Sequence, residues 1–145
     1  MTADILPPAI VFGLSPTGLH VVRTLARAGV EVIGVAEGKQ TGQTSRYLSQ
    51  VIRQISDEQL LAALLDVAAR TEASGKPQAI LIPSSDQHVE FIARNSAVLE
   101  QQFRFQNSYK DGVARQIMAK DSFYQLCADS GIRYPQLKEA AADEL

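Results

Sequence analysis

Cysteine is nearly absent from this 145-residue chain: Cys127 stands alone, so no intrachain disulfide can form. Only His20 and His88 join it, which excludes zinc sites built from four cysteines or from two cysteines and two histidines. Lying in an apolar-patterned helical segment, Cys127 reads as a core thiol rather than a reactive one. No apolar run approaches the roughly 18 residues a spanning helix needs. Residues 1–8 lack the cationic start and long apolar stretch of a signal peptide. A soluble, cytoplasmic protein is therefore expected. An excess of one charge is missing too: 14 Lys and Arg face 16 Asp and Glu, a formal net charge of −2. Residues 1–75 carry six positive and seven negative side chains, and residues 76–145 carry eight and nine. Without a basic stripe, neither nucleic acid nor a membrane is expected as a partner. No internal repeat or low-complexity segment occurs.

What is present is ordinary. Hydrophobic residues make up 46% and charged residues 21%, the balance of one soluble globular domain. Ala9-Ile10-Val11-Phe12 is apolar on both faces, as in a central parallel strand, and stops at Gly13. Ser15-Pro16 offers an N-cap followed by proline at the first helical position. Leu19, Val22, Leu25 and Ala26 then keep a helical period up to Gly29, and Glu31–Val35 is a second strand, completing a βαβ unit. A third strand falls around Val51-Ile52. Ser56 with Gln59 forms a capping box for a helix running to about Ala73. Ala79–Ile82 is a fourth strand, and a helix from the Pro83–Asp86 turn continues towards Leu99. Phe103–Phe105 is a weaker fifth strand, and two helical pieces follow, Tyr109–Met118 and Asp121–Ser130. This alternation predicts a Rossmann-like three-layer α/β/α domain with a parallel sheet of about five strands.

In such a sheet, ligands sit at the carboxyl ends of the strands. The turn after the first strand, Gly13-Leu14-Ser15-Pro16-Thr17-Gly18, carries the first and third glycines of the dinucleotide fingerprint but has Ser15 in the middle place, where glycine lets the backbone approach a pyrophosphate. Glu37 stands near the place of the ribose-binding acid, so an NAD(P)-binding oxidoreductase domain remains an alternative. The competing reading is architectural: Gly13 makes a tight turn and Gly18 permits close helix–strand packing. Pro83-Ser84-Ser85-Asp86-Gln87-His88 clusters polar groups at another strand end, as helix caps or as one wall of a small-ligand crevice. No G-x-S-x-G elbow exists. Taken alone, Lys120 reads as a solvated charge at a helix junction.

The order of these motifs has a precedent. "GLSPTGLHVVRTLARAGVEVIGV", "SRYLSQVI", "ILIPSSDQHVEFIA" and "KDSFYQLCADSGIRYPQ" together resemble the N-terminal, pre-ATP-grasp domain of ATP-grasp carboxylate–amine ligases, the group that includes carbamoyl-phosphate synthase large subunits. The similarity runs from about Ala9 to Gln136. It implies a biotin-carboxylase-N-domain-like fold over residues 9–119, a flexible leader over 1–8, and a helix and linker start over 120–145. The polar residues 137–145 then read as a stub leading to an ATP-grasp domain in cis that this chain does not contain. The resemblance also implies ATP and magnesium in the full-length parent, an acyl-phosphate intermediate, and a small carboxylate or amine substrate; this segment alone would bind no cofactor and catalyse nothing. Lys120 matches the position that contacts nucleotide phosphates. Gly13, Ser15, Thr17, Gly18, Glu37, Ser84, Ser85 and Asp86 match the substrate side of the cleft, with no catalytic and no metal-binding residue among them. Gln87 stands where the family has an acid. A stand-alone ligand-binding or regulatory module is the other reading, and a homodimer is left open.

Overall fold

The computed structural model describes residues 5–54 and 56–135. Strand β1 (Ala9–Phe12) is buried at all four positions, as a strand covered on both faces must be. It pairs in parallel with β2 (Val32–Glu37) on one side and β4 (Ile80–Pro83) on the other, and β3 (Gln50–Gln54) adds outside β2. The order β3-β2-β1-β4 places the reversal of winding direction between β1 and β4. Helices α1 (Pro16–Arg27), α2 (Asp57–Ala73), α3 (Asp86–Arg94) and the single turn α4 (Ser96–Leu99) connect and cover the strands. The α5 (Val113–Met118) and α6 (Lys120–Asp129) pair follows.

Strand alternation divides the core into two layers. Ile10, Phe12, Ile33 and Val35 pack with Leu60, Leu64 and Ile92 on one face. Val11, Val32 and Ala36 pack with Leu14 and Val22 on the other. The expected Rossmann-like three-layer arrangement is what the chain forms.

The sheet has four strands rather than five. Phe103–Phe105 makes only one parallel bridge, Ile80 with Arg104, in which the Leu81 N–H donates to Arg104 O (2.9 Å) and the Arg104 N–H to Ala79 O (3.0 Å). Phe103 is drawn into the core, and the chain then leaves the sheet edge in a 3-10 turn at Asn107–Tyr109. Three boundaries also shift. The helix expected from Tyr109 begins only at Val113, because Gly112 before it adopts φ +81°, a left-handed conformation outside the helical region. The helix expected to run on to Leu99 breaks at Asn95, whose side-chain amide donates to Phe91 O (2.8 Å) and so competes with the regular ladder. Strand β2 runs two residues beyond Val35, since Ala36 and Glu37 pair with Arg53 and Gln54.

Other expectations stand as read. Ser56 Oγ accepts the Gln59 N–H at the start of α2 (3.3 Å), and Cys127 is buried. Pro8, assigned to the leader, is already part of the packed structure: it is buried and its carbonyl accepts the Ile80 N–H (2.8 Å). Residues 1–4 and the stub 137–145 lie outside the described residues. Among the described residues no helix is long and apolar enough to cross a membrane.

Candidate functional site

The turn following β1 is built from backbone. Gly13, at φ +77°, donates its N–H to Val35 O (2.9 Å) and crosses the sheet end in a conformation that disfavours a Cβ. Gly18 sits in the first turn of α1 directly against it, and a Cβ on Gly18 would overlap the Gly13 carbonyl oxygen. The architectural reading of both glycines is therefore realised. Ser15 caps α1 through its backbone, its carbonyl accepting the Leu19 N–H (2.8 Å), while its side chain makes no capping bond. Thr17 is exposed on the first turn.

This turn is also closed from above. Gln40 Oε1 accepts the Leu14 N–H (2.7 Å), and the Leu14 carbonyl accepts the Gly42 N–H (3.1 Å). Leu14 itself is fully buried against Gly34 and Leu48. The segment after β2 thus uses up polar backbone that a dinucleotide-binding turn leaves free for phosphate oxygens. Nothing in the sequence pattern marked Gln40 for this role. Its signal was only its place in a polar loop after a strand.

The turn following β4 is built from side chains. Ser84 Oγ donates to the Phe12 carbonyl (2.6 Å), tying the ends of β4 and β1 together across the point where the winding reverses. Ser85 is the N-cap of α3, and its hydroxyl lies 2.8 Å from His88 Nδ1 instead of capping the helix. His88 Nε2 lies 2.7 Å from Glu37 Oε1 at the end of β2. An ionised carboxylate only accepts, so Nε2 carries a proton. With a neutral ring, Nδ1 then accepts the Ser85 hydroxyl, and both ring nitrogens have a partner. His88 is only 5% exposed, its ring tilted against Phe12 (5.7 Å between centroids). Its Cε1 would be 2.7 Å from a Cβ on Gly13. Asp86 is exposed on the first turn of α3.

Gly13, Glu37, Ser84 and Ser85 therefore meet at one sheet end, with His88 as the residue that joins them. Sequence reasoning placed His88 among the polar groups of a cap or crevice wall but did not single it out as a site residue. A histidine in the first turn of a helix, three residues after a serine cap, was the available signal. Lys120 is not brought there: it opens α6 as an exposed side chain and makes no ion pair among the described residues.

No protein-family model matches this sequence, and no curated protein matches it significantly. The ligase resemblance rests on the quoted motifs alone.

Beside the Ser85–His88–Glu37 line, a crevice of about 250 Å³ opens between α3 and the ends of β2 and β3. Its far wall is braced by ions: Arg94 pairs with Asp57 (2.8 Å) and Glu90 (3.7 Å), and Arg115 pairs with Glu90 (2.8 Å). Among the described residues no three His, Cys, Asp or Glu side chains gather as a metal site. One further group is electrostatically unusual. Tyr47, beyond the loop that covers Leu14, has its hydroxyl pushed down to about 8, first by the hydrogen bond from Arg46 and then by Arg27.

Proposed function

We propose that this chain is the N-terminal, substrate-side domain of an ATP-dependent carboxylate–amine ligase of the ATP-grasp kind, and that it has no catalytic activity alone. The observation that carries the reading is the convergence of Gly13, Glu37, Ser84, Ser85 and His88 at the carboxyl end of the sheet. There, Ser84 and Ser85 hold the sheet end and His88 in place, and Glu37 and His88 line a small crevice. That arrangement suits a small polar substrate. It suits a dinucleotide poorly, since Gln40 and Gly42 engage the Leu14 backbone. The motif order supports the same reading, with ATP and magnesium bound by a domain in cis outside this chain. Lys120, exposed at the start of α6, is free to reach the phosphates of a nucleotide held there, as a compact point charge.

The test joins this chain to the ATP-grasp domain of its parent and measures ADP release from ATP–magnesium against a panel of carboxylates and amines. Release should require both partners, and the chain alone should release none. Lys120→Ala should raise KM for ATP about tenfold, the loss of one exposed charge–phosphate contact, while leaving the melting temperature of the 145-residue chain unchanged. Micromolar binding of NADH by the chain would overturn the reading in favour of an oxidoreductase domain. A second reading, a stand-alone ligand-binding module, draws on the crevice beside Glu37 and His88. Binding of a small ligand by the chain, with no ATP turnover in any longer form, would select it.

A further inference from the structure

We infer that the crevice between α3 and the ends of β2 and β3 recognises the cationic amine group of a ligand, with Glu37 as the carboxylate that receives it and His88 as a positioning residue. That the ligand is a ligase substrate rests on the function proposed above; that an ammonium is what the crevice holds rests on the following geometry.

Three carboxylates line the crevice, Glu37, Asp57 and Glu90. Two are neutralised by guanidinium groups: Asp57 by Arg94, and Glu90 by Arg94 and Arg115. Glu37 has no such partner among the described residues. Its one polar contact is His88 Nε2, which engages Oε1 only, and its side chain remains 38% exposed. A half-exposed carboxylate that lines a crevice and is anchored through one oxygen is a preorganised acceptor.

A second acceptor lies beside it. Gln54 is the register partner of Glu37 on β3, and side chains paired across parallel strands project from the same face. Gln54 lines the same crevice. Its Nε2 donates to Asp57 Oδ1 (3.4 Å), and this fixes the amide orientation, since the reverse would set two oxygens against each other. Its Oε1 is then buried and has no hydrogen-bond partner among the described residues. A buried acceptor left without a donor is destabilising and calls for an explanation. Glu37 lacks a cationic donor among the described residues, and Gln54 Oε1, occluded on the neighbouring strand, would be reached by a ligand only on a shift of the Gln54 side chain; an alkylammonium brings three N–H donors on one cationic atom. A carboxylate or phosphate would instead face like charge at Glu37, with no unpaired cation lining the crevice among the described residues. The volume, about 250 Å³, lies just below the range for drug-sized ligands and suits a small amine.

His88 acts through Glu37 rather than on the ligand. Held between the Ser85 hydroxyl and Glu37 and packed on Phe12, it fixes one carboxylate oxygen so that the other stays available.

The probe is n-butylammonium, with butyrate as the control of equal size and opposite charge, titrated into the 15N-labelled chain and followed by NMR. Butylammonium should shift the amides of Glu37, Gln54 and His88 with millimolar affinity, and butyrate should not. Glu37→Gln should weaken binding at least tenfold with amide dispersion retained, and Gln54→Leu about threefold. The imidazole 15N signals of His88 should move on binding while those of exposed His20 stay fixed, a response that a purely structural histidine would not give. Butyrate shifting these residues, butylammonium failing to, or Glu37→Gln leaving the affinity unchanged would each overturn the inference. This outcome is independent of ADP release: binding without turnover would sink the ligase reading alone, and turnover without butylammonium binding would sink the amine site alone.

Discussion

Two strand-to-helix turns stand side by side at the carboxyl end of the sheet, one after β1 and one after β4, and they are built from opposite materials. The first has two glycines, and its Leu14 N–H and C=O are both taken up by the loop carrying Gln40 and Gly42. The second has no glycine and projects Ser84, Ser85 and His88: Ser84 bonds to β1, His88 to β2, and Ser85 to His88. Both end in a serine N-cap whose side chain makes no capping bond. The difference separates scaffold from site. Where backbone packs against backbone, substitution is costly and the side chains have little to offer a ligand. Where side chains carry the contacts, a substitution can alter function while the fold persists.

The glycine turn should break most easily. Gly18→Ala places its Cβ on the Gly13 carbonyl, and since backbone rather than a flexible side chain must yield, a loss of about 3 kcal/mol is expected. Gly13→Ala should cost about 2 kcal/mol, combining a left-handed φ with contact against Ser84 Oγ and His88 Cε1, which can shift. Urea denaturation with an unchanged m-value would measure both. Equal losses, or a milder Gly18 variant, would mean that α1 can slide on β1 and that the turn is not rigid.

How much of this was legible beforehand follows the same division. The glycine turn could be read because Gly13 and Gly18 report backbone demands that are local in sequence. The four strands could be read for a similar reason: Ala9–Phe12 and Ile80–Ile82 are short apolar runs bounded by turn residues. The fifth strand failed because Phe103-Arg104-Phe105 alternates like an edge strand, yet only tertiary packing of Phe103 decides how long the chain stays paired. The site was half legible. Glu37 and Ser85 could be placed at strand ends, but the bond that unites them spans 51 residues between Glu37 and His88. No local pattern encodes that pairing. Gln54 was invisible for the same reason, since its role comes from strand register with Glu37.

Within the second turn the two serines should themselves differ. Ser84→Ala removes the tie from β4 to the Phe12 carbonyl (2.6 Å), a half-buried bond, and should lower stability by about 1 kcal/mol. The loss should appear as faster amide exchange at the ends of β1 and β4, where opening is local. Uniform destabilisation across the sheet would mean that Ser84 supports the whole core rather than one junction.

Ser85→Ala should have the smallest effect and is the sharpest test of the comparison. Serine caps ordinarily contribute about 1 kcal/mol through a bond to the helix N–H groups. Ser85 makes none: its hydroxyl is spent on His88 Nδ1. Ser85 is exposed, so water can replace the hydroxyl at that ring nitrogen, and the expected loss is under about 0.5 kcal/mol, within the range of ordinary surface changes. The readout that should move is the His88 ring: its 15N shifts should report a changed Nδ1 partner while Nε2 stays bound to Glu37. A loss near the full capping value would mean that Ser85 serves α3 first and His88 second, and the two turns would then be more alike than their residues suggest.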